Sequence, residues 1–296
     1  MSESTLDLAE TPALALPDRP QSSGVWTRFL HNKMAMIGLT IIAIVVAIAI
    51  IAPFFTSDPN KQHVPDRLQS PSLQHWFGTD DFGRDIFSRV ANGARVSLLA
   101  GVVSVAIGLA FGASLGIVAG YFEGRIGVTI MAAMDILLAL PAILLAIAMS
   151  ARLGAGLTTA MIAAGVIGIP GYARLARSAT LSAKQRDYTL AAQALGATDS
   201  SIMRRHILPN ILSPLIIQTA VGIGSAILLV SALGFLGLGA QPPQAEWGRM
   251  LNDAKRYVFD ALYIGIFPGL AIMLTVLGFN LAGDGLRDAL DPNTRS

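Results

Sequence analysis

Few side chains in this sequence could take part in chemistry, and one carboxylate inside an apolar run stands out. Asp135 interrupts the run from Ile126 to Ala151, and it would lie about 13 Å along a helix that starts at Ile126. A carboxylate at that depth in a membrane helix is a candidate functional group. It could instead form a structural ion pair with Arg174 or Arg177, because an unpaired charge there would be costly. We favour the structural pair and keep the functional carboxylate as the alternative.

The residue types that catalysis or cofactor binding would need are sparse or absent. The chain has no cysteine, and its four histidines are scattered without the spacing of metal ligands. It contains no phosphate-binding loop of the form GxxxxGK(S/T), and no Ser/His/Asp or Cys/His set is suggested. We therefore predict a non-catalytic chain with no metal or cofactor of its own. If it moves a solute, it must use an external ATPase, an ion gradient or no energy source.

The composition is that of a membrane protein with several spans. Of the 296 residues, 53% are hydrophobic and 14% are charged, whereas soluble domains carry about 25% charged residues. The formal net charge of +2 is too small to indicate a nucleic-acid partner. Residues 1–24 are rich in Pro, Ser and acidic side chains, and we predict that they form a disordered tail.

Six apolar runs are long enough to cross the roughly 30 Å hydrocarbon core, and in lipid they must do so as helices. An amphipathic lead-in and the first span occupy 25–55, and an extracytoplasmic loop occupies 56–95. Residues 96–284 hold the other five spans, and 285–296 form a cytoplasmic tail. The predicted spans are Met34–Phe55, Val96–Phe122, Ile126–Ala151, Leu153–Ala173, Ile211–Phe235 and Ala261–Gly283.

The second span carries glycines mostly four residues apart, a spacing that lets helix backbones approach closely in a bilayer. Packing inside the chain is the simpler interpretation, and a subunit interface is compatible with it. The glycines concerned are Gly101, Gly108, Gly112, Gly116 and Gly120.

The segment 235–247, after the fifth span, is predicted to be non-helical and to lie at the outer face. Its glycines loosen the backbone and its Pro-Pro pair stops a helix, while its tryptophan is predicted to anchor at the membrane interface. The segment is either a gate-lining or docking loop or an ordinary structured loop, and both interpretations stay open. The candidate residues are Gly237, Gly239, Pro242, Pro243 and Trp247.

The polar stretch Tyr188–Asn210 separates the fourth and fifth spans, and it has the pattern of two short helices joined at a glycine. Gly196 is predicted to end the first helix, because a residue that leaves a helix in the left-handed conformation is most easily a glycine. Asp199 or Ser200 is predicted to cap the second helix. Pro209 permits entry into the next span.

This stretch resembles the EAA loop of permease subunits in binding-protein-dependent ABC importers. The pattern of that loop is Glu-Ala-Ala, three residues, Gly, nine residues, Ile, one residue and Leu-Pro. Leu190 replaces the glutamate, so the carboxylate that the pattern supplies is absent. His206 replaces the isoleucine. The matching positions are Ala191, Ala192, Gly196, Leu208 and Pro209.

Three further stretches, Phe77–Arg89, Phe235–Leu251 and Phe279–Pro292, resemble the peptide/nickel branch of these permeases. The similarity runs from about residue 25 to the end. It implies an all-α polytopic membrane protein with the type I ABC importer permease fold of six transmembrane helices, in which 188–210 is the cytoplasmic loop that couples to an ATPase. The coupling residues that it implies are Ala191, Ala192, Gly196, Met203, Arg204, Ile207, Leu208 and Pro209.

The resemblance also implies a function. The chain would be a transmembrane subunit that forms the path for small peptides of the dipeptide, oligopeptide or glutathione type, with nickel or another small solute as the alternative. Its partners would be a second, different permease subunit, two ATPase subunits that bind ATP and Mg²⁺, and an extracytoplasmic solute-binding protein.

A self-contained secondary transporter is the alternative from another class. Such proteins usually show duplicated halves and more charge at the midplane, and neither is evident here. The resemblance places the chain in the bacterial cytoplasmic membrane with both termini in the cytoplasm. In that orientation 12 of the 21 Lys and Arg residues lie inside, which agrees with the positive-inside rule.

Overall fold

The structure is a computed structural model that describes residues 25–290, so the predicted tail at 1–24 and the last six residues lie outside the described part. Residues 25–290 are largely helical and contain no strand. The helices are α1 (Val25–His31), α2 (Lys33–Phe55), α3 (Ile86–Phe122), α4 (Gly124–Ala139), α5 (Ala142–Leu153), α6 (Leu157–Lys184), α7 (Asp187–Ala194), α8 (Asp199–Ile202), α9 (Leu208–Phe235), α10 (Trp247–Ala254) and α11 (Tyr263–Leu290).

Five helical stretches are each long and apolar enough to cross a membrane. Four of them are α2, α3, α6 and α11, and the fifth runs from Asp199 to Phe235 through α8 and α9. Helices α4 and α5 meet at 90°, and together they make a sixth span if the bent pair crosses the membrane. The chain is therefore an all-α protein with five or six spans.

The span predicted for Ile126–Ala151 is bent between α4 and α5. Leu140 has φ −84° and ψ 130°, an extended conformation, and α5 begins directly after Pro141. The ring of a proline clashes with a helical conformation at the residue before it, so the helix ends there. The apolar run is continuous in sequence, but its backbone is broken in the middle.

Glycines let α3 and α6 pack with their backbones in close contact. A Cβ atom at Gly112 would lie 2.5 Å from the carbonyl oxygen of Ile169, and one at Gly116 would clash with that of Ala173. Gly120 faces α6 in the same way, whereas Gly101 packs against Ile227 of α9. The predicted stripe is thus used for packing inside the chain.

The two ends of the described chain pack together. The side chain of Asn32 caps α2 by accepting from the backbone N–H groups of Met34 and Ala35, and its own amide donates to Asp288 at 3.1 Å. Phe29 of α1 is buried against Ala289. Helix α11 extends to Leu290, so residues 285–290 of the predicted tail are helical. Residues 291–296 lie outside the described part.

The loop before α3 is held by buried charges. Arg84 Nε lies 2.6 Å from Asp80 Oδ2, and the same oxygen lies 3.6 Å from Arg89 Nε. All three side chains are almost fully buried. A buried charge is tolerated only when it is paired and hydrogen-bonded. Asp80 pairs with both arginines, and Asp81 adds a second carboxylate 3.9 Å from Arg84.

Candidate coupling segment and neighbouring sites

The predicted turn at Gly196 is present between α7 and α8. Gly196 has φ +81°, in the left-handed region that favours glycine. Its N–H donates to the carbonyl of Gln193 at 3.0 Å, and the N–H of Ala197 donates to that of Ala192 at 3.1 Å. This pair of bonds is the Schellman motif, which satisfies the last carbonyls of a helix. The direction in which α8 leaves α7 is thus set by backbone bonds around one glycine.

The start of α8 differs from the prediction that Asp199 or Ser200 caps it. Thr198 occupies the N-cap position without a side-chain hydrogen bond. The carboxylate of Asp199 instead accepts from the hydroxyl of Tyr121 at 2.6 Å. Tyr121 is buried at the end of α3, so this bond ties α8 to a membrane helix. Short-range sequence patterns could not reveal a contact between residues this far apart.

A charged contact lies beside that bond. Lys184 at the end of α6 donates to the backbone carbonyl of Tyr121 and to the carboxylate of Glu123, each at 2.8 Å. The hydrogen bond from Lys184 and its charge lower the pKa of the exposed Glu123. The ends of α3 and α6 are therefore joined next to the coupling segment.

Two isoleucines anchor the segment to the bundle. Ile202 and Ile207 are fully buried, and they belong to the same apolar core as Tyr121, Ala183 and Ile211. Residues Met203–Ile207 form a turn of π-helix that leads directly into α9 at Leu208. Ile207, predicted as a coupling residue, therefore lies in the core and is not available to a partner's surface.

Other predicted coupling residues lie at the surface. Ala191, Gly196, Arg204, Leu208 and Pro209 are exposed, and Ala192 and Met203 are partly exposed. The segment also presents apolar side chains that lie outside the matching positions of the motif. Leu195 is 88% exposed, and Tyr188 and Leu190 are exposed as well. Exposed apolar groups on a short surface segment indicate a binding face.

Asp135 and Arg174 meet between α4 and α6. Their side chains are 2.6 Å apart, and they are 60% and 55% exposed, respectively. The carboxylate is therefore not covered by other parts of this chain, and its depth in the membrane stays a prediction. Within the described residues Arg177 is not the partner of Asp135, and its Nε is buried without a hydrogen bond. Whether the pair is structural or functional stays a prediction.

The outer segment after α9 is non-helical up to Glu246, but Trp247 does not anchor at an interface. Its indole is buried, and Nε1 donates to the carbonyl of Val90 at 2.9 Å. The ring lies over Gly93, where a Cβ atom would come within 3.1 Å of it. Trp247 therefore fixes α10 against α3.

The other predicted outer residues shape the same loop. Gly237 has φ +84°, and Gly239 lies against the backbone of Gly234. The bond between Pro242 and Pro243 is cis. A gate or docking role for these residues stays a prediction.

Sequence reasoning missed Glu246, which precedes α10. The side chain is fully buried, and its two oxygens accept from the backbone N–H groups of Gly248 and Arg249, each at 2.8 Å. The hydroxyls of Ser97 and Ser231 donate to it from α3 and α9 at 3.3 and 3.5 Å. Burial raises the pKa of this carboxyl, and the hydrogen bonds oppose that shift. One buried carboxylate thus joins three helices.

Comparison with known protein families identifies the family to which this chain belongs. The family described as "Binding-protein-dependent transport system inner membrane component" matches residues 112–296. The chain belongs to this family. The permease also matches, at residues 21–71, the family described as "N-terminal TM domain of oligopeptide transport permease C". The resemblance inferred from the coupling-loop motif is confirmed.

Curated relatives of the permease span nearly its whole length. It is 50% identical over 266 residues to the dipeptide transport system permease protein DppC of Alkalihalophilus pseudofirmus, covering 90% of this chain and 88% of that protein. It is 46% identical over 273 residues to the glutathione transport system permease protein GsiD of Pectobacterium atrosepticum, covering 92% and 91%. For GsiD of Escherichia coli the identity is 48% over 272 residues, covering 91% and 90%.

A solved structure supports the fold. A chain of the MetNI methionine ABC transporter, in an inward-facing conformation, superposes with a TM-score of 0.56 at 21% identity, covering 69% of the permease and 97% of that chain. The predicted type I permease fold is therefore confirmed. The permease is a multi-pass membrane component of a binding-protein-dependent transport system.

Proposed function

We propose that this permease forms part of the path by which small peptides, of the dipeptide, oligopeptide or glutathione type, are imported. The permease would itself be non-catalytic, and separate ATPase subunits would bind ATP and Mg²⁺ and supply the energy. The names of its curated relatives, a dipeptide permease and glutathione permeases, support this substrate class. These relatives are matched over about nine-tenths of their length.

The single observation that supports coupling to an ATPase is the outward face of the segment from α7 to α8. Leu195, Tyr188 and Leu190 are exposed there, and so is Arg204 of the same segment. Ile202 and Ile207 hold the segment on the bundle from the other side. A rigid segment with an apolar outer face is suited to a groove of a partner subunit, and movement of that partner would be passed to α9 and α3.

The proposed assembly contains this permease, a second and different permease subunit, two ATPase subunits and an extracytoplasmic solute-binding protein. It lies in the bacterial cytoplasmic membrane, with both termini of this chain in the cytoplasm. The outer loop 235–247 would then face the solute-binding protein.

The test is purification of the whole importer in mild detergent, followed by uptake into proteoliposomes. We expect the ATPase subunits to co-purify with the permease. Addition of the solute-binding protein, a dipeptide and ATP should give uptake, with glutathione and Ni²⁺ tested in parallel. Absence of the ATPase, or uptake of Ni²⁺ without uptake of either peptide, would overturn the proposal.

A matched pair of surface leucines tests the docking face. Leu195→Asp places a charge on the proposed ATPase contact, whereas Leu73→Asp places one on an equally open leucine in the loop before α3, since these side chains are 88% and 98% exposed. Only Leu195→Asp should reduce the amount of ATPase retained. Equal retention by both variants would contradict docking at this face.

A further inference from the structure

Polar side chains lie exposed along one side of the membrane helices. Asp135 and Arg174 form their ion pair there with more than half of each side chain accessible. On α9, Gln218 and Ser225 are exposed in the middle of an apolar helix. They are seven residues apart, so they share one face of that helix. We call these four residues the polar face.

The polar face is unsuited to contact with lipid. Charged side chains in membrane helices almost always face a bundle interior or a water-filled cavity. A primary amide without a hydrogen-bond partner is also costly in hydrocarbon. The opposite face of α9 carries apolar exposed side chains such as Ile216 and Leu212, as a lipid-facing surface would. The two sides of this helix therefore face different surroundings.

A cavity of about 270 Å³ adjoins the polar face. Gln218 and Ser225 line it, and so do Leu138 and Gly171, which are three residues from Asp135 and Arg174, respectively. It lies between α3, α6 and α9, and Gln218, Ser225 and the buried Tyr172 contribute to its wall. At Gly171 no atom lies within 4 Å of where a Cβ would be, so the space in front of α6 is open. Small-molecule sites usually measure about 300–1,000 Å³, so this chain supplies only part of a complete site.

The polar groups lie at similar depths. Gln218 is ten residues into α9, about 15 Å from Leu208 at the rise of an α-helix. Arg174 is ten residues before the end of α6 at Lys184, which gives the same distance of about 15 Å. Both distances are measured from the side on which the coupling segment lies. The ion pair and the amide can therefore border the same passage.

We propose that the polar face lines a water-filled passage between this permease and its partner permease, and that Gln218 and Ser225 hydrogen-bond the main chain of the passing peptide. This deepens the proposed function and rests on it. A primary amide donates and accepts at once, so it can pair with a peptide group whatever side chains the peptide carries. The Asp135–Arg174 pair stays hydrated beside the passage.

The first experiment measures access of water, and it uses the absence of cysteine from this chain. Gln218→Cys and Ser225→Cys are compared with Ile216→Cys in the complete importer during ATP-driven uptake. A charged methanethiosulfonate reagent modifies only hydrated thiolates, so the first two variants should react about tenfold or more faster than the third. A transported dipeptide should slow their modification. Equal rates at all three positions, or no protection by the dipeptide, would overturn the proposal.

The second experiment measures contact with the solute. Gln218→Leu and Ser225→Ala should each lower the maximal rate of dipeptide uptake, measured at saturating solute-binding protein and dipeptide, by about fivefold, the effect of one lost hydrogen bond. Folded yield and retention of the ATPase should stay unchanged, and Ile216→Leu is the matched control. Unchanged maximal rates in both variants would overturn the contact. Failure of the unsubstituted importer to take up any peptide would instead refute the proposed function, and thiol accessibility would still test the passage.

Discussion

Gly196 is the residue on which the geometry of the coupling segment depends. Its φ of +81° is a conformation that costs residues other than glycine about 1–2 kcal/mol. No other atom lies within 4 Å of a Cβ placed there, so the difficulty is conformational and not steric. A bulkier residue would therefore redirect α8 without touching a membrane helix.

We expect Gly196→Val to insert and fold normally but to lose ATPase retention or solute-stimulated ATP hydrolysis. A β-branched residue is especially poor in the left-handed conformation. Gly196→Asn is the control, because asparagine tolerates this conformation, and it should keep most of the activity. Wild-type transport by the valine variant would show that this turn does not transmit the coupling.

Glu246 makes a testable contribution to stability that depends on pH. Burial raises its pKa above the usual value, so folding favours the protonated form of this carboxyl. Its contribution is therefore fully present below the ordinary pKa and is lost as the pH rises through the pKa of the folded state.

The comparison is between the unsubstituted permease and Glu246→Gln, which cannot titrate at this position. As the pH is raised from about 4 to 8, the free energy of unfolding of the unsubstituted permease should fall relative to that of the Glu246→Gln variant. Denaturation midpoints of both proteins across that range provide the measurement. A difference that stays constant, or that grows with pH, would contradict the raised pKa.

At the scale of elements, the glycine-mediated contact between α3 and α6 can be tested by substitution. Gly112→Ala places a methyl group 2.5 Å from the carbonyl oxygen of Ile169, and such overpacking costs about 1–3 kcal/mol. We expect a lower thermal unfolding midpoint in detergent.

Gly168→Ala on α6 is the matched control for this packing. The nearest atom to its new Cβ would be 3.9 Å away, and alanine is favoured over glycine inside a helix by about 0.5–1 kcal/mol. Its midpoint should be unchanged or higher. A Gly112→Ala protein as stable as the Gly168→Ala protein would mean that the two helices can separate freely.

At the scale of the whole molecule, the path of the bent pair α4 and α5 decides the topology. If the pair crosses the membrane, four spans precede the coupling segment, and one span precedes the loop before α3. These two regions then lie on opposite sides. If the pair re-enters on the same side, only three spans precede the coupling segment, and both regions lie on one side.

Single cysteines at two exposed serines distinguish these topologies. In intact cells an impermeant thiol reagent should label Ser72→Cys and should spare Ser200→Cys until the membrane is permeabilised. Both side chains are accessible in this chain, so protection would report the side of the membrane. Labelling of both variants from outside would refute a cytoplasmic coupling segment and the six-span arrangement.

Local features of this protein were determined by its sequence alone. The apolar runs predict the spans because a bilayer requires long apolar helices. Gly196 predicts the turn between α7 and α8 because the cost of positive φ belongs to the residue itself.

The tertiary structure decided the rest, because these features depend on residues far apart in the chain. Trp247 is of a residue type that is typical of membrane interfaces, but it is buried over Gly93 because α10 packs on α3. Asp199 has the type and position of a helix cap, but it binds Tyr121 because the end of α3 lies beside it. Asp135 likewise meets Arg174 of α6, 39 residues further along the chain, and both side chains stay exposed. Hydrophobic pattern and local propensity specify which segments are helices, whereas the packing of those helices determines which polar groups are covered.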